Sequence, residues 1–110
     1  MANIEQGRRA VVARILEGDG RASPAQRRAA FDDAGLAEPL AKLIDKVAKQ
    51  AAQVTDEDVA ATRAAGVSED QIFELVVCAA IGQATRQYDA ALAALDAATE
   101  GSAHAPAHSR

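Results

Sequence analysis

The chain has 110 residues, which suits a single domain, and carries a formal net charge of −4. Its hydrophobic content is 49%, most of it alanine, while only 3% of the residues are aromatic. Neither an apolar run of 18 residues nor a basic start followed by an apolar segment is present, which argues against a membrane span and export. One cysteine forms no intramolecular disulfide, so the sequence predicts a cytoplasmic protein.

The composition also predicts the fold class. Alanine is the strongest helix former, and the β-branched and aromatic residues that favour strands are few. We therefore expect an all-α fold. A core of small apolar side chains stabilises a chain of this length only marginally, so we expect subunits to share surface in a homo-oligomer, with a dimer or trimer favoured.

Charge is unevenly distributed along the chain. Residues 1–30 hold six arginines against three acids, whereas residues 50–100 hold nine acids against two arginines. No lysine or aromatic residue accompanies the first set of arginines, and the acidic remainder would repel phosphate, so we do not expect nucleic acid as a partner. We expect the basic segment to dock on the acidic one, in the same or a neighbouring subunit.

The first predicted helix spans residues 3–17 and ends at the turn signal Gly18-Asp19-Gly20. A short second helix follows, with Ser23 as its N-cap, Pro24 at its first position and Gly35 after its end. These basic N-terminal helices occupy residues 1–38 of a single domain over 1–100.

Pro39 opens the third helix and the rest of the domain, residues 39–100. The apolar face of this helix comprises Leu40, Leu43, Ile44, Val47, Ala48 and Ala51. The charged residues away from that face, which we expect to be solvated, are Lys42, Asp45, Lys46 and Lys49. Thr55 begins the fourth helix, Asp58 completes an approximate capping box, and Gly66 is placed to end the helix in the left-handed conformation.

Ser68 caps the fifth helix with Gln71, and the pattern predicts that this helix runs from about 69 to 99. Residues 72–81 are apolar nearly all the way round, which predicts a central, buried helix. Gly82 is interpreted as either a close-packing point or a kink. The apolar stripe around it and beyond it is formed by Ile81, Tyr88, Leu92 and Leu95. Residues 101–110 are predicted to be a disordered tail.

Residues 40–95 resemble the carboxymuconolactone decarboxylase and alkylhydroperoxidase D-like (AhpD-like) family. The resemblance is carried by the stretch KVAKQAAQVTDEDVAATRAAGVSEDQIFELVVCAAIGQATRQYDAAL. Within it, TRAAGVSEDQIFE corresponds to the family pattern LRxAGxSDxxIxE, and it precedes an apolar helix, Arg86 and a small-residue stretch. The resemblance implies an AhpD-like bundle assembled as a homodimer, trimer or hexamer.

The resemblance also implies a chemistry against which the chain can be compared. In active alkylhydroperoxidase-like members a CxxC pair, with a nearby histidine and glutamate, reduces peroxides through a thiolate and a sulfenic acid. Here Cys78 lacks its partner in both registers, since Ile81 and Leu75 occupy the two alternative positions. The histidine expected four residues past the later cysteine is replaced by Thr85 or Gly82.

The decarboxylase branch needs no cysteine pair but would need a proton-transferring histidine near a buried lactone site. The two histidines of this chain, His104 and His108, both lie in the tail. Their spacing of four is that of helical metal ligands, yet Pro106 and Gly101 argue against a helix there, and we expect no metal or other cofactor. The family's chemistry is therefore not expected in this chain.

Cys78 and Glu74 are the two candidates for chemistry. Cys78 is either a peroxidatic thiol or a small buried hydrophobe, and its apolar neighbours favour the second role. Glu74 lies within the same apolar run and must find a partner, for which Arg86 and Arg63 are the candidates. We favour a structural pairing of Glu74 over general acid–base work.

The candidate ligand pocket comprises Glu74, Cys78, Gln83, Arg86 and Tyr88. Tyr88 is interpreted either as a pocket residue or as a side chain at a helix–helix seam. The sequence thus predicts an oligomeric binding or accessory protein without the redox-active cysteine pair, with a small molecule as a possible ligand. The alternatives are a diverged peroxidase or decarboxylase-type enzyme using Cys78 or Glu74, and a purely structural assembly module.

Overall fold

The computed structural model describes residues 2–104, and the side chains of residues 4–100, as a bundle of five α-helices. These are α1 (Ala2–Glu17), α2 (Pro24–Asp32), α3 (Leu40–Gln50), α4 (Asp56–Ala64) and α5 (Glu69–His104). A short 3₁₀ helix, Ala51–Gln53, links α3 to α4. No strand occurs in this described part of the chain, and the predicted all-α fold of about five helices is confirmed.

Three helices begin with reciprocal capping boxes, in which a hydroxyl and the side chain three residues later each accept the other residue's N–H. The pairs are Ser23 with Gln26, Thr55 with Asp58, and Ser68 with Gln71. All three N-caps are where the sequence predicts them, because a cap depends on residues that are adjacent in the chain.

Helix ends follow the prediction less closely. Gly66 adopts a φ of 101° and ends α4 as predicted. At the end of α2 the left-handed residue is Asp33, with a φ of 55°, and Gly35 follows two residues later. Helix α5 continues through Gly101 to His104, beyond its predicted end near residue 99. Residues 105–110, the rest of the predicted tail, lie outside the described residues.

Helix α3 buries its predicted face through Leu40, Leu43, Ile44 and Ala48. Ala51 is exposed, because α3 ends before it and the chain turns into the 3₁₀ helix. Of the four charged residues predicted to be solvated, Lys42, Asp45 and Lys49 are exposed, whereas Lys46 is only partly exposed. Lys46 Nζ lies 2.8 Å from Asp58 Oδ2 of α4, and Lys49 Nζ lies 3.0 Å from Asp45 Oδ1 on its own helix.

Helix α5 packs closely against α2 at Gly82. A Cβ at this position would lie 1.9 Å from the carbonyl oxygen of Phe31, so only glycine permits this approach. The predicted close-packing point is confirmed by this approach, and the helix runs unbroken through Gly82. The core around it includes Leu16, Ala30, Ile44, Leu75 and Ala79.

Burial of α5 is confined to one side. Ile72, Leu75, Cys78 and Ala79 are buried, but Phe73 is 68% exposed and Ala80 is also exposed. The prediction that residues 72–81 are buried all the way round is therefore wrong for these two positions. The helix is also much longer than its partners, at about 54 Å for 36 residues. The fold is correspondingly elongated, with principal extents of 64 × 29 × 20 Å.

Candidate functional site

Glu74 is held by the turn between α1 and α2. Its Oε2 accepts the backbone N–H of Arg21 and its Oε1 accepts the backbone N–H of Ala22, both at 2.8 Å. These two hydrogen bonds stabilise the carboxylate and lower the pKa of Glu74 below its ordinary value of 4.5. Gly20 makes the approach possible, because a Cβ there would lie 2.7 Å from Glu74 Oε1.

Within the chain, neither predicted partner, Arg86 or Arg63, contacts Glu74. Arg86 lies more than three turns further along the same helix, where its guanidinium donates to the Phe31 carbonyl at 2.6 Å and to Gln83 Oε1 at 2.9 Å. Arg63 pairs with Glu69 at 3.0 Å. Backbone amides take the place of the arginines, because the α1–α2 turn delivers two N–H groups to the carboxylate.

Arg27, for which the sequence pattern predicts no role, also binds this turn. Its side chain is 5% exposed and donates three hydrogen bonds to carbonyl oxygens, at 3.2 Å to Ala22, 3.2 Å to Ile15 and 2.5 Å to Gly18. Ile15 belongs to the last turn of α1, whose carbonyls lack partners within the helix. We call Glu74, Arg27 and the turn 18–22 the turn clamp.

Cys78 lies one turn after Glu74 and is 1% exposed. Its Sγ is 3.8 Å from the carbonyl oxygen of Ile15. Burial raises the pKa of the thiol above its ordinary value of 9.0, although the charge of Arg27 partly offsets this. Residues 4–100 contain no histidine and no second cysteine, so nothing in them lowers the thiol pKa enough or resolves a sulfenic acid.

The five residues predicted to share a pocket are divided between different surroundings. Arg86 and Gln83 face α2, Cys78 is in the core, and Glu74 belongs to the turn clamp. Tyr88 lies on the α1 side, where the guanidinium carbon of Arg8 is 5.1 Å from its ring centroid. Positions 14 residues apart on one helix are separated by about 21 Å, which is too far for Glu74 and Tyr88 to meet around one small ligand.

An apolar groove runs between α1 and α5 and contains Tyr88. A cavity of about 420 Å³ occupies it. The lining comprises Gly7, Arg8, Val11 and Val12 of α1, with Ile81, Ala84, Thr85 and Tyr88 of α5. A separate cavity of about 180 Å³ lies at the turn clamp and is lined by Glu74 and Arg27 together with Arg14, Phe73 and Val77. The two cavities share no lining residue, and we refer to the larger one, between α1 and α5, as the groove.

The surface beside this groove is unusually apolar. All the large hydrophobic side chains that are exposed among residues 4–100 lie on α1 or α5. They are Ile4, Val11, Phe73, Tyr88 and Leu95, with exposed fractions between 36% and 68%. We call this surface, together with the groove, the α1/α5 face. Large apolar side chains exposed together on two neighbouring helices are typical of interaction sites.

Arginines of α1 border the α1/α5 face. Arg8 lies 3.6 Å from Asp89 of α5, the one ion pair between residues 4–30 and α5 in the described part of the chain. The predicted docking of the basic segment on the acidic one thus includes one ion pair, beside the two hydrogen bonds that Glu74 accepts from Arg21 and Ala22. Arg8 Nε is buried without a hydrogen-bond partner, and Arg14 makes no ion pair with any described residue.

A second polar cluster, not anticipated from the sequence, lies between α2 and α3. Asp33 and Asp45 share a hydrogen bond, and the Lys49 ammonium lies 3.7 Å from Asp33. Burial raises the pKa of Asp33, and the hydrogen bond from Asp33 lowers that of Asp45. A cavity of about 480 Å³ adjoins the pair. The left-handed backbone of Asp33, which brings its carboxyl to α3, has no signal in the sequence.

The described residues contain neither of two common kinds of site, a metal-ligand cluster or a membrane-spanning helix. No three acidic, histidine or cysteine side chains of these residues gather closely enough to hold a metal ion. No helix in the same part of the chain has the length and hydropathy to cross a bilayer. No protein-family model, curated protein or solved structure matches the chain. Its function must therefore be argued from the turn clamp, Cys78 and the α1/α5 face.

Proposed function

We propose that the chain is a non-catalytic binding or accessory protein that self-associates through the α1/α5 face, with an AhpD-like, carboxymuconolactone decarboxylase-type architecture. One observation carries the proposal: every large exposed hydrophobic side chain among residues 4–100 lies on α1 or α5. Fully burying one such side chain contributes about 1.5–3 kcal/mol, so covering this face is a strong driving force for association. The other side of α5 is already covered by α2 and α3.

The enzyme alternative draws no support from the two candidate residues. A peroxidase needs an accessible thiolate, whereas Cys78 is 1% exposed and its pKa is raised. A general acid or base needs a carboxyl that can exchange a proton with a ligand. Both oxygens of Glu74 accept backbone N–H groups, and these bonds keep it ionised. Both side chains therefore serve the fold.

Light scattering coupled to size exclusion tests the proposal. We expect a mass of two or three chains at micromolar concentration for the unmodified protein. Val11→Glu, which places a charge on the α1/α5 face, should give the monomer mass with unchanged helix content by circular dichroism. Ala25→Glu, on the exposed surface of α2, is the matched control and should remain assembled. The monomer mass for the unmodified protein at about 50 µM would contradict the proposal.

A further inference from the structure

We infer that the groove of the α1/α5 face is covered by helix α5 of a second copy, running antiparallel to the first about a two-fold axis. The inference rests on the proposed self-association and names its geometry. Three observations lead to it: the overhang of α5, the position of its apolar stripe, and the distribution of charge.

The overhang follows from the lengths of α1 and α5, which run antiparallel. Ile15 of α1 lies beside Cys78, and Arg8 lies beside Tyr88 and Asp89, so lower residue numbers in α1 meet higher ones in α5. At this register the start of α1 lies near residues 91–95 of α5. Helix α5 continues to His104, about 14–20 Å further, and we call this last part of α5 the overhang. Leu95, where the overhang begins, is 61% exposed.

The apolar stripe of α5 continues from the groove onto the overhang. Its apolar positions are Ile81, Tyr88, Leu92 and Leu95, and the polar Thr85 between them completes alternating intervals of four and three residues. This is the spacing of a seam between paired helices. The first three of these five positions line the groove, and the last two lie near the start of α1. The chain thus offers an empty groove and an uncovered apolar segment that fits it.

An antiparallel pair of α5 helices covers the groove and the exposed apolar segment of each chain at the same time. With the two-fold axis near residue 90, Leu92 faces Tyr88 of the second copy and Leu95 faces Thr85 of the second copy. Each overhang then covers the groove of the other chain, which closes the assembly as an isologous dimer. In a parallel pair the overhangs would face each other and both grooves would stay uncovered.

Charge selects the same orientation. Residues 89–100 contain Asp89, Asp96 and Glu100 and no basic residue, whereas Arg8 lies on the α1 wall of the groove and Arg14, on the same helix, lines the smaller cavity. The antiparallel arrangement brings the acidic overhang to these arginines of α1, of which Arg14 makes no ion pair with the described residues of its own chain. A parallel arrangement would bring acids against acids. Asp89, nearest the axis, is already paired with Arg8.

Disulfide cross-linking in the full chain tests the register. In a Cys78→Ala background, Thr85→Cys combined with Leu95→Cys should give a covalent dimer on a non-reducing gel after mild oxidation. The two positions lie ten residues apart on one helix, about 15 Å, so they cannot join within a chain. Leu95→Cys alone should stay unlinked, because two copies of Leu95 are similarly separated in the antiparallel pair. Ile81→Cys with Thr99→Cys tests the same register if the first pair fails to fold.

The outcomes separate this inference from the proposal on which it rests. If Leu95→Cys alone links as fully as the pair, the helices are parallel and the inference is wrong, while self-association stands. If light scattering shows an oligomer but neither cysteine pair links, the second copy docks elsewhere and the inference again fails alone. A monomer in every measurement overturns both.

Discussion

The two sides of α5 differ in whether their side chains find partners within the chain. At the α1–α2 turn the charged groups have partners within the chain: the partly buried Glu74 accepts two amides, and the buried Arg27 donates to three carbonyls. On the α1/α5 face few polar groups are enclosed, yet large apolar side chains stand in solvent. The side facing α2 and this turn is complete within one chain, and the α1/α5 face requires something to cover it.

This difference teaches where substitutions should matter. On the complete side, contacts are set by backbone geometry and by buried charge, so even one added methyl group has nowhere to go. On the α1/α5 face there is room, so the folded monomer should tolerate changes that alter assembly. Similar substitutions on the two sides of α5 should therefore change the free energy of unfolding by different amounts.

Gly82→Ala should have the largest effect. The added Cβ would meet the Phe31 carbonyl oxygen at 1.9 Å, and because that oxygen belongs to the backbone, α2 must move away from α5. Overpacking against flexible side chains costs about 1–3 kcal/mol, and we expect a loss of more than about 3 kcal/mol here. Urea denaturation followed by circular dichroism measures it. A loss below about 1 kcal/mol would show that α2 and α5 are not in close contact.

Glu74→Gln should cost about 1–3 kcal/mol, because the amide NH₂ of glutamine would face one of the two N–H donors that the carboxylate now accepts. The matched control is Glu69→Gln, which removes an ion pair between two exposed side chains and should cost less than about 0.5 kcal/mol. Equal losses for the two variants would mean that the turn clamp adds nothing to stability.

The same carboxylate predicts a pH dependence. Because folding lowers the pKa of Glu74, its contribution is present above the ordinary value of 4.5 and is lost as the pH falls through the lower, folded pKa. The difference in unfolding free energy between the unmodified protein and Glu74→Gln should thus be constant near neutral pH and shrink in acid. If the difference in unfolding free energy between the two proteins grew as the pH fell, the Glu74 carboxylate would not stabilise the fold in its ionised form.

The turn clamp also shows which contacts can be predicted from the sequence and which cannot. Capping boxes such as Thr55 with Asp58 are predictable because all their atoms come from one short segment. The burial of Cys78 is predictable from its apolar neighbours. The partner of Glu74 is not, because it consists of backbone amides 52 and 53 residues away, and amides carry no residue-type signal. Sequence favoured Arg86 on charge alone, which ignores where the turn places its N–H groups.

The exposed face was missed for a related reason. The apolar residues at nearly every position of 72–81 predict a helix that is buried on every side. This prediction is correct only if enough other helices surround the segment. Here α1, α2 and α3 cover part of the circumference, and Phe73 remains 68% exposed. The pattern therefore indicates a surface that needs cover, and the single chain does not supply all of it.

Gly7→Ala is the counterpart of Gly82→Ala on the α1/α5 face, and its effect should be smaller and of opposite sign. Nothing lies within 4 Å of a Cβ at Gly7, and alanine in a helix interior is more stable than glycine by about 0.5–1 kcal/mol. We expect a gain of that size by urea denaturation, measured at a concentration where light scattering detects only monomer. A loss would show that α1 packs more tightly on α5 than the groove allows.

Substitution of Cys78 should have the smallest effect, because it should leave the rate of peroxide consumption unchanged. A buried thiol with a raised pKa supplies little thiolate at neutral pH, so the protein should consume hydrogen peroxide no faster than Cys78→Ala when a dithiol reductant is present. Because the unfolded thiol ionises first, the stability of the unmodified protein should fall above pH 9 more steeply than that of Cys78→Ala. Alkylation of the folded protein should likewise be slow and should accelerate on addition of urea, since the sulfur is reached only when the helices open. A peroxide rate that depends on Cys78 would place chemistry on the complete side of α5, where the structure shows a sulfur enclosed by α1 and α5 and acting in the packing of the core.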